Sequence, residues 1–194
     1  MDTPAERLLL AAIHDEFLAV KATCEKALDQ LDPNGIRWSP DPHTNSVAVI
    51  IKHLAGNLRS RFTDLLTTDG EKPWRRRDDE FVDDFPPGAE GRAAIIERWQ
   101  AGWSVLLNTL AGLTDADLSR TVTIRGEPHS VARALARSLA HAGYHCGQIV
   151  TVARMATGPD RWRTVTIPVG QSQAFNDQMF ARHRPSDASQ GPRP

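Results

Sequence analysis

His141 and His145 stand four residues apart in the segment His141-Ala142-Gly143-Tyr144-His145, within a stretch that has helical apolar spacing. Residues at i and i+4 project from one helical face, with Cβ atoms about 5–6 Å apart, so two imidazoles there can meet one ion. The polar stripe runs on to Ser138 and Gln148, on a helix otherwise built from Leu135, Leu139, Ile149 and Val150. A polar stripe in an apolar helix marks groups that face the interior and need partners. A third imidazole, His53, lies 88 positions before the pair and heads a stripe of His53, Asn57 and Arg61 beside the apolar line Ile50-Leu54-Leu58. Three neutral imidazoles suit zinc, nickel or ferrous iron. Three protein ligands leave one coordination position for water or substrate, the arrangement of catalytic rather than structural zinc. An ion held so lowers the pKa of a water or thiol in the free position towards neutral and makes a nucleophile of it. An H-x-x-x-H pair also arises from two surface histidines, or from core histidines bonded to neighbours. Periodicity does not by itself bring His53 to the pair, so the spacing leaves these readings open. No H-E-x-x-H is present, which disfavours a metalloprotease of that type. No carboxylate stands beside the histidines as a general base.

The elements that must position these residues are helical. Leu9, Ile13, Phe17, Val20, Cys24, Ala27 and Leu31 predict a first helix over 4–30, with Pro4 in its first turn after Thr3 as cap. Asp32-Pro33-Asn34-Gly35 stops it. Val47, Ile50, Leu54, Leu58, Phe62 and Leu65 predict a second helix over 45–68, capped by Asn45 or Ser46 and ended by Asp69-Gly70. A third, over 90–112, buries Ile95 or Ile96, Trp99, Trp103, Leu106 and Leu110. The run Thr121-Val122-Thr123-Ile124 reads as a small strand or one arm of a hairpin, too short to found a sheet. A fourth helix, 130–157, is capped by Ser130 and closed by Gly158-Pro159. A short helix is expected from Gln171. One all-α domain is therefore expected over 1–183, with a disordered tail over 184–194. In an antiparallel bundle, facing helices can bring inward groups to one point.

The connection between helices 2 and 3, EKPWRRRDDEFVDDFPPGAEG, is long and rich in charge, and long loops inside compact domains are usually functional or disordered. Arg75, Arg76 and Arg77 with Trp74 read either as an anion site or, by preference, as a charge network with Asp78, Asp79, Glu80, Asp83 and Asp84. His14 reads as a boundary residue, His43 and His129 as capping groups before helix starts, and His183 as part of the tail. Gly143 and Gly147, with Ala132, Ala136 and Ala140, form a run of small residues that predicts a close approach by another helix or a second subunit. Cys146 reads as a small packed residue.

Bulk properties bound the rest. The chain has 194 residues, 40% hydrophobic and 24% charged, with a formal net charge of -1. That balance is globular and offers no global field for nucleic acid or an anionic membrane. Two isolated cysteines make no disulfide scaffold and read as reduced, hence cytoplasmic. No basic leader or long apolar run is present, so neither secretion nor membrane spanning is expected.

The runs Ile51-Lys52-His53-Leu54-Ala55-Gly56-Asn57-Leu58, Leu113-Thr114-Asp115-Ala116-Asp117-Leu118 and His141-Ala142-Gly143-Tyr144-His145-Cys146-Gly147-Gln148-Ile149 resemble the DinB-like superfamily, over about residues 5–160. That superfamily also holds the YfiT-type metal-dependent hydrolases and the thiol-dependent transferases and isomerases. SRFTDLLTTDGEKPWRRRDDEF and IPVGQSQAFN resemble a less characterised subgroup. The resemblance implies a four-helix bundle, often homodimeric, with a three-histidine metal site to which His53, His141 and His145 correspond.

The leading expectation is a metal-dependent enzyme, a hydrolase or a thiol-dependent S-transferase acting on a small molecule. Asn57 and Gln148 are the candidates for orienting imidazoles, and Arg61 for neutralising an anionic substrate. A low-molecular-weight thiol is a possible second cofactor. The rival is a dimeric metal-binding protein of stress response without catalysis. A dry, closed pocket favours the rival, whereas room for a small molecule favours the enzyme. Nucleic-acid binding through the arginine run is the weakest reading.

Overall fold

The computed structural model describes residues 8–184, so the expected Thr3 cap, Pro4 and the tail from residue 185 lie outside the described residues. The described residues form two compact units, one ending at Trp162 and one beginning at Arg163. Among them are five α-helices and one two-stranded sheet, so the chain is mostly helical. The second unit contains α5, Ser172–Arg182, where a short helix from Gln171 was expected. No described helix is long and apolar enough to cross a membrane.

In the first unit, α1 (Leu8–Leu28), α2 (Val47–Phe62), α3 (Gly88–Gly112) and α4 (Val131–Thr157) hold the core. The most extensive packing is of α2 on α3 and of α1 on α4, and α2 also meets α4. The last contact positions the histidines. Trp99 and Trp103 are buried in α3, and Phe17 meets Trp103 edge-on at 6.2 Å. Gly102 is what lets α3 come so close to α2, since a Cβ there would stand 2.7 Å from the Cα of Ala55. The α1 stripe differs by one position from expectation. Leu10 is buried and Leu9 exposed, so the inward line runs Leu10, Phe17, Cys24, Leu28.

Helix α2 starts where expected, with Ser46 Oγ accepting from Val49 N, but stops six residues early. Thr63 is extended and Asp64 adopts φ +50, a left-handed conformation that no helix continues. Leu65 is buried by the following turn rather than by the helix. Residues 121–124 are one arm of a hairpin, β1 (Thr121–Ile124) paired antiparallel with β2 (Glu127–Ser130). Its two turn residues, Arg125 and Gly126, both have positive φ, as a tight two-residue hairpin turn requires. Ser130 then caps α4 by accepting from Arg133 N. Gly158, with φ +81, ends that helix.

The long connection is tied down at both ends. The Asp69 carboxylate accepts from the backbone N–H groups of Arg125 and Gly126, both at 2.8 Å, which clamps the connection to the hairpin turn. Further on, buried Lys52 of α2 holds Asp84 at 2.6 Å, and Arg37 holds Asp83 at 2.7 Å. Asp83 and Asp84 therefore pair outside the arginine run. Arg75 pairs with Glu80, Arg76 with Asp79 and Arg77 with Asp78, so the charge-network reading holds for those residues.

Candidate metal centre

Helix α2 carries His53 inward at 6% exposure, and α4 carries His141 and His145 towards it. One ligand nitrogen from each ring lies within 4.8 Å of the other two. The Nε2 atoms of His141 and His145 are 3.1 Å apart. The ring of His53 lies 5.5 Å from that of His141 and 5.0 Å from that of His145. The spacing on α4 thus does what helix geometry allows, and tertiary packing supplies the third ring.

Hydrogen bonds aim two of the rings. His53 Nδ1 stands 2.9 Å from Oε2 of Glu80, and His145 Nδ1 stands 2.7 Å from Oε1 of Gln148. An ionised carboxylate and an amide oxygen only accept, so each Nδ1 donates, which leaves Nε2 as the nitrogen available to a ligand. Gln148 is held in turn by donating from Nε2 to the Tyr144 hydroxyl at 3.1 Å. His141 Nδ1 is buried without a hydrogen-bond partner. Burial, then the nearby His145 and His53, then Arg75 and Arg61, push the His141 pKa down to about 4. Burial also lowers that of His145, against the opposing bond from Gln148. These two rings are neutral near pH 7, the form that ligates metal. Metal–nitrogen bonds of about 2.0–2.1 Å in a tetrahedron separate ligand nitrogens by about 3.3 Å. The His141–His145 separation is close to that. The donor set therefore fits a divalent ion.

Glu80 is a carboxylate beside the histidines that the spacing did not show, in a role other than general base. It comes from a short 3-10 turn, Asp78–Phe81, in the long connection, 27 residues from His53 in the chain. Burial would raise its carboxyl, but the hydrogen bonds from His53 and Arg75 outweigh burial and hold it below the usual carboxylate value. Its two oxygens are occupied by Arg75 and by His53 Nδ1, on the far side of the ring from Nε2. It orients a ligand and is not free to act as a base. Gly56 makes room for it, because a Cβ there would lie 2.1 Å from Oε1 of Glu80. Phe81 stacks on the His53 ring at 4.9 Å. The only signal in the chain was the length and charge of the connection.

Of the other candidate residues, Gln148 touches His145, whereas Asn57 bonds none of the three rings. Asn57 and Arg61 instead line a cavity of about 190 Å³ that opens on His53 and His141. Arg61 donates to Gly70 O and reaches Glu71 at 3.3 Å. His14 sits half-buried on α1, as a boundary residue should. His43 is exposed and caps nothing, since Ser46 caps α2. His129 is likewise no cap. It is buried on β2 opposite Val122, with Nε2 3.5 Å from Arg137. His183 is the C-terminal cap position of α5 rather than tail. Cys24 and Cys146 are free and buried. Gly143 and Gly147 are exposed and a Cβ at either meets nothing within 4 Å, so no described helix approaches closely at these two positions.

Residues 5–171 match the model of one family, described as a protein of unknown function (DUF1572). No curated protein matches the chain, and no solved structure does.

Proposed function

The chain belongs to that family of unknown function, and we propose that it is a metal-dependent enzyme, a hydrolase or thiol-dependent S-transferase acting on a small molecule. The observation that carries the reading is the convergence of His53, His141 and His145, with ligand nitrogens within 4.8 Å of one another. The likeness of the histidine runs to the DinB-like superfamily supports it, as do the four packed helices, which we read as that superfamily's bundle. Zinc, nickel and ferrous iron all suit three imidazoles. A bound ion supplies Lewis acidity, lowering the pKa of a water or thiol in its open position. Around it, Glu80 and Gln148 fix two ring orientations, and Phe81 screens the outer face of His53 from water. We place the protein in the cytoplasm, as a homodimer joined through the uncovered small-residue face of α4.

The rival, a metal-binding dimer of stress response without catalysis, needs no chamber beside the ligands. The cavity on His53 and His141 favours the enzyme. The test is elemental analysis of protein purified without a nickel column, repeated on His145→Ala. One equivalent of metal in the parent, lost in the variant, is the expected result. Metal retained by the variant refutes the assigned site. The loaded protein is then screened with glutathione, mycothiol and bacillithiol against an electrophile. Turnover identifies a catalyst, and its absence with tight metal binding favours the carrier.

A further inference from the structure

The cavity beside the histidines has a strongly cationic lining. Arg61, Arg75, Arg77, Arg125 and Arg137 all border it, and no carboxylate does. Four of these arginines are engaged by acids outside the cavity. Arg61, Arg75 and Arg125 share Glu71, Arg75 also holds Glu80, and Arg77 meets Asp78 at 3.7 Å. Three carboxylates thus face five guanidinium groups. The surplus is concentrated on Arg137, which has no carboxylate partner among the described residues. Its one polar contact is His129 Nε2 at 3.5 Å, and its other N–H donors are uncommitted. Asn57 and Ser138 border the same space, and neither makes a side-chain hydrogen bond among the described residues. The inner wall is rigid, because the Arg75 side chain is 2% exposed and that of Arg61 11%. The clamp from Asp69 holds the hairpin that supplies Ile124 and Arg125 to the opposite wall.

We propose that this cavity binds the oxyanion group of a small organic anion, a carboxylate or a phosphate, with Arg137 as the direct ligand and Asn57 as a second donor. The proposal deepens the enzyme reading above by naming the substrate class and rests on it for the reaction, though not for the binding. A planar guanidinium takes either group with paired N–H···O bonds. The uncompensated charge, held partly out of bulk water, strengthens that attraction. Volume limits the rest of the molecule. A cavity of about 150 Å³ holds benzene, so about 190 Å³ admits a molecule of roughly that ring size with one substituent. Because His53 and His141 form part of the wall, a substituent anchored at Arg137 leaves the remainder of the molecule beside the ligand set.

The test is calorimetric titration of benzoate and of phenyl phosphate into protein stripped with EDTA and into zinc-loaded protein, with benzyl alcohol as the neutral ring. Both anions are expected to bind the stripped protein, with affinity falling as chloride rises, while benzyl alcohol does not bind. The tighter of the two identifies the preferred oxyanion. Arg137→Gln should weaken binding about tenfold or more, as expected for losing a charged hydrogen-bond partner, and Asn57→Ala by a smaller factor. Arg137 is exposed, so its replacement leaves folding intact, which a melting curve verifies. Benzyl alcohol binding as well as benzoate, an unchanged affinity in Arg137→Gln, or anion binding seen only after zinc loading overturns the proposal. Anion binding intact in a protein that takes up no zinc on loading sinks the metal reading alone and leaves this one standing.

Discussion

Glu80 stands 2.9 Å from Nδ1 of His53 across 27 residues of chain, and its carboxylate fills the space that any side chain at position 56 would take. A carboxylate on the outer nitrogen of a ligating imidazole fixes the ring and raises its basicity. Glu80→Gln, which removes the charge, and Gly56→Ala, which pushes the carboxylate away, should each lower metal affinity by about 10–100-fold. Competition against a chromophoric chelator measures this. Unchanged affinity in both variants would mean that the contact with His53 is incidental.

Metal removal should cost stability, because an ion that binds only the folded chain stabilises it by mass action. At free zinc about 100 times the dissociation constant the gain is about 2.7 kcal/mol. For a chain of this size that is roughly 5–10 °C in Tm. Differential scanning calorimetry with and without EDTA should show the shift in the parent and not in His141→Ala. An equal shift in that variant would place the stabilising ion elsewhere.

Asp69 holds the hairpin turn against the long connection. Burial alone would raise its carboxyl, but hydrogen bonds from the backbone N–H groups of Glu71, Gly126 and Arg125 outweigh it and hold the pKa well below the usual 3.8. A folded-state pKa below the unfolded one gives stability that is complete above pH 3.8 and lost as pH falls through the folded value. Asp69→Ala removes these hydrogen bonds and, with solvent screening of the partly exposed carboxylate, should cost about 1 kcal/mol at neutral pH, and the gap to the parent should narrow below pH 3.8. Urea denaturation across that range reads it, and hydrogen exchange should quicken at Arg125 and Gly126. A gap independent of pH would refute the assigned anchor.

Two glycines inside helices should respond oppositely to alanine. At Gly102 a Cβ meets Ala55 Cα at 2.7 Å, so α2 and α3 must part. Overpacking of about 1–3 kcal/mol outweighs the helix-propensity gain of about 1 kcal/mol at most positions in that range. At Gly143 a Cβ meets nothing within 4 Å, and the propensity gain stands alone. Gly143→Ala should stabilise the monomer by about 1 kcal/mol, unless the dimer proposed above uses that face, in which case sedimentation should show weaker association.

What the residues determined by themselves is whatever obeys local geometry. The stripes at three- and four-residue steps located α1 to α4, because helical periodicity follows from the backbone alone. The His141–His145 pair was legible for the same reason, since four residues on a helix bring two side chains to one face whatever surrounds them. The early stop of α2 at Phe62 was not legible, because Asp64 takes its left-handed conformation where the chain turns to bury Leu65. Nor was the burial of His129, which follows from a hairpin whose second arm, Glu127-Pro128-His129-Ser130, has no apolar alternation. The tertiary structure decided the rest of the site. It brought His53 to the pair, carried Glu80 back from the connection to hold His53, and gathered arginines from four segments of chain around one cavity. Such meetings depend on the path of loops and on how helices pack. Both are set by burial and charge pairing summed over the whole unit, and no spacing within a single segment encodes them.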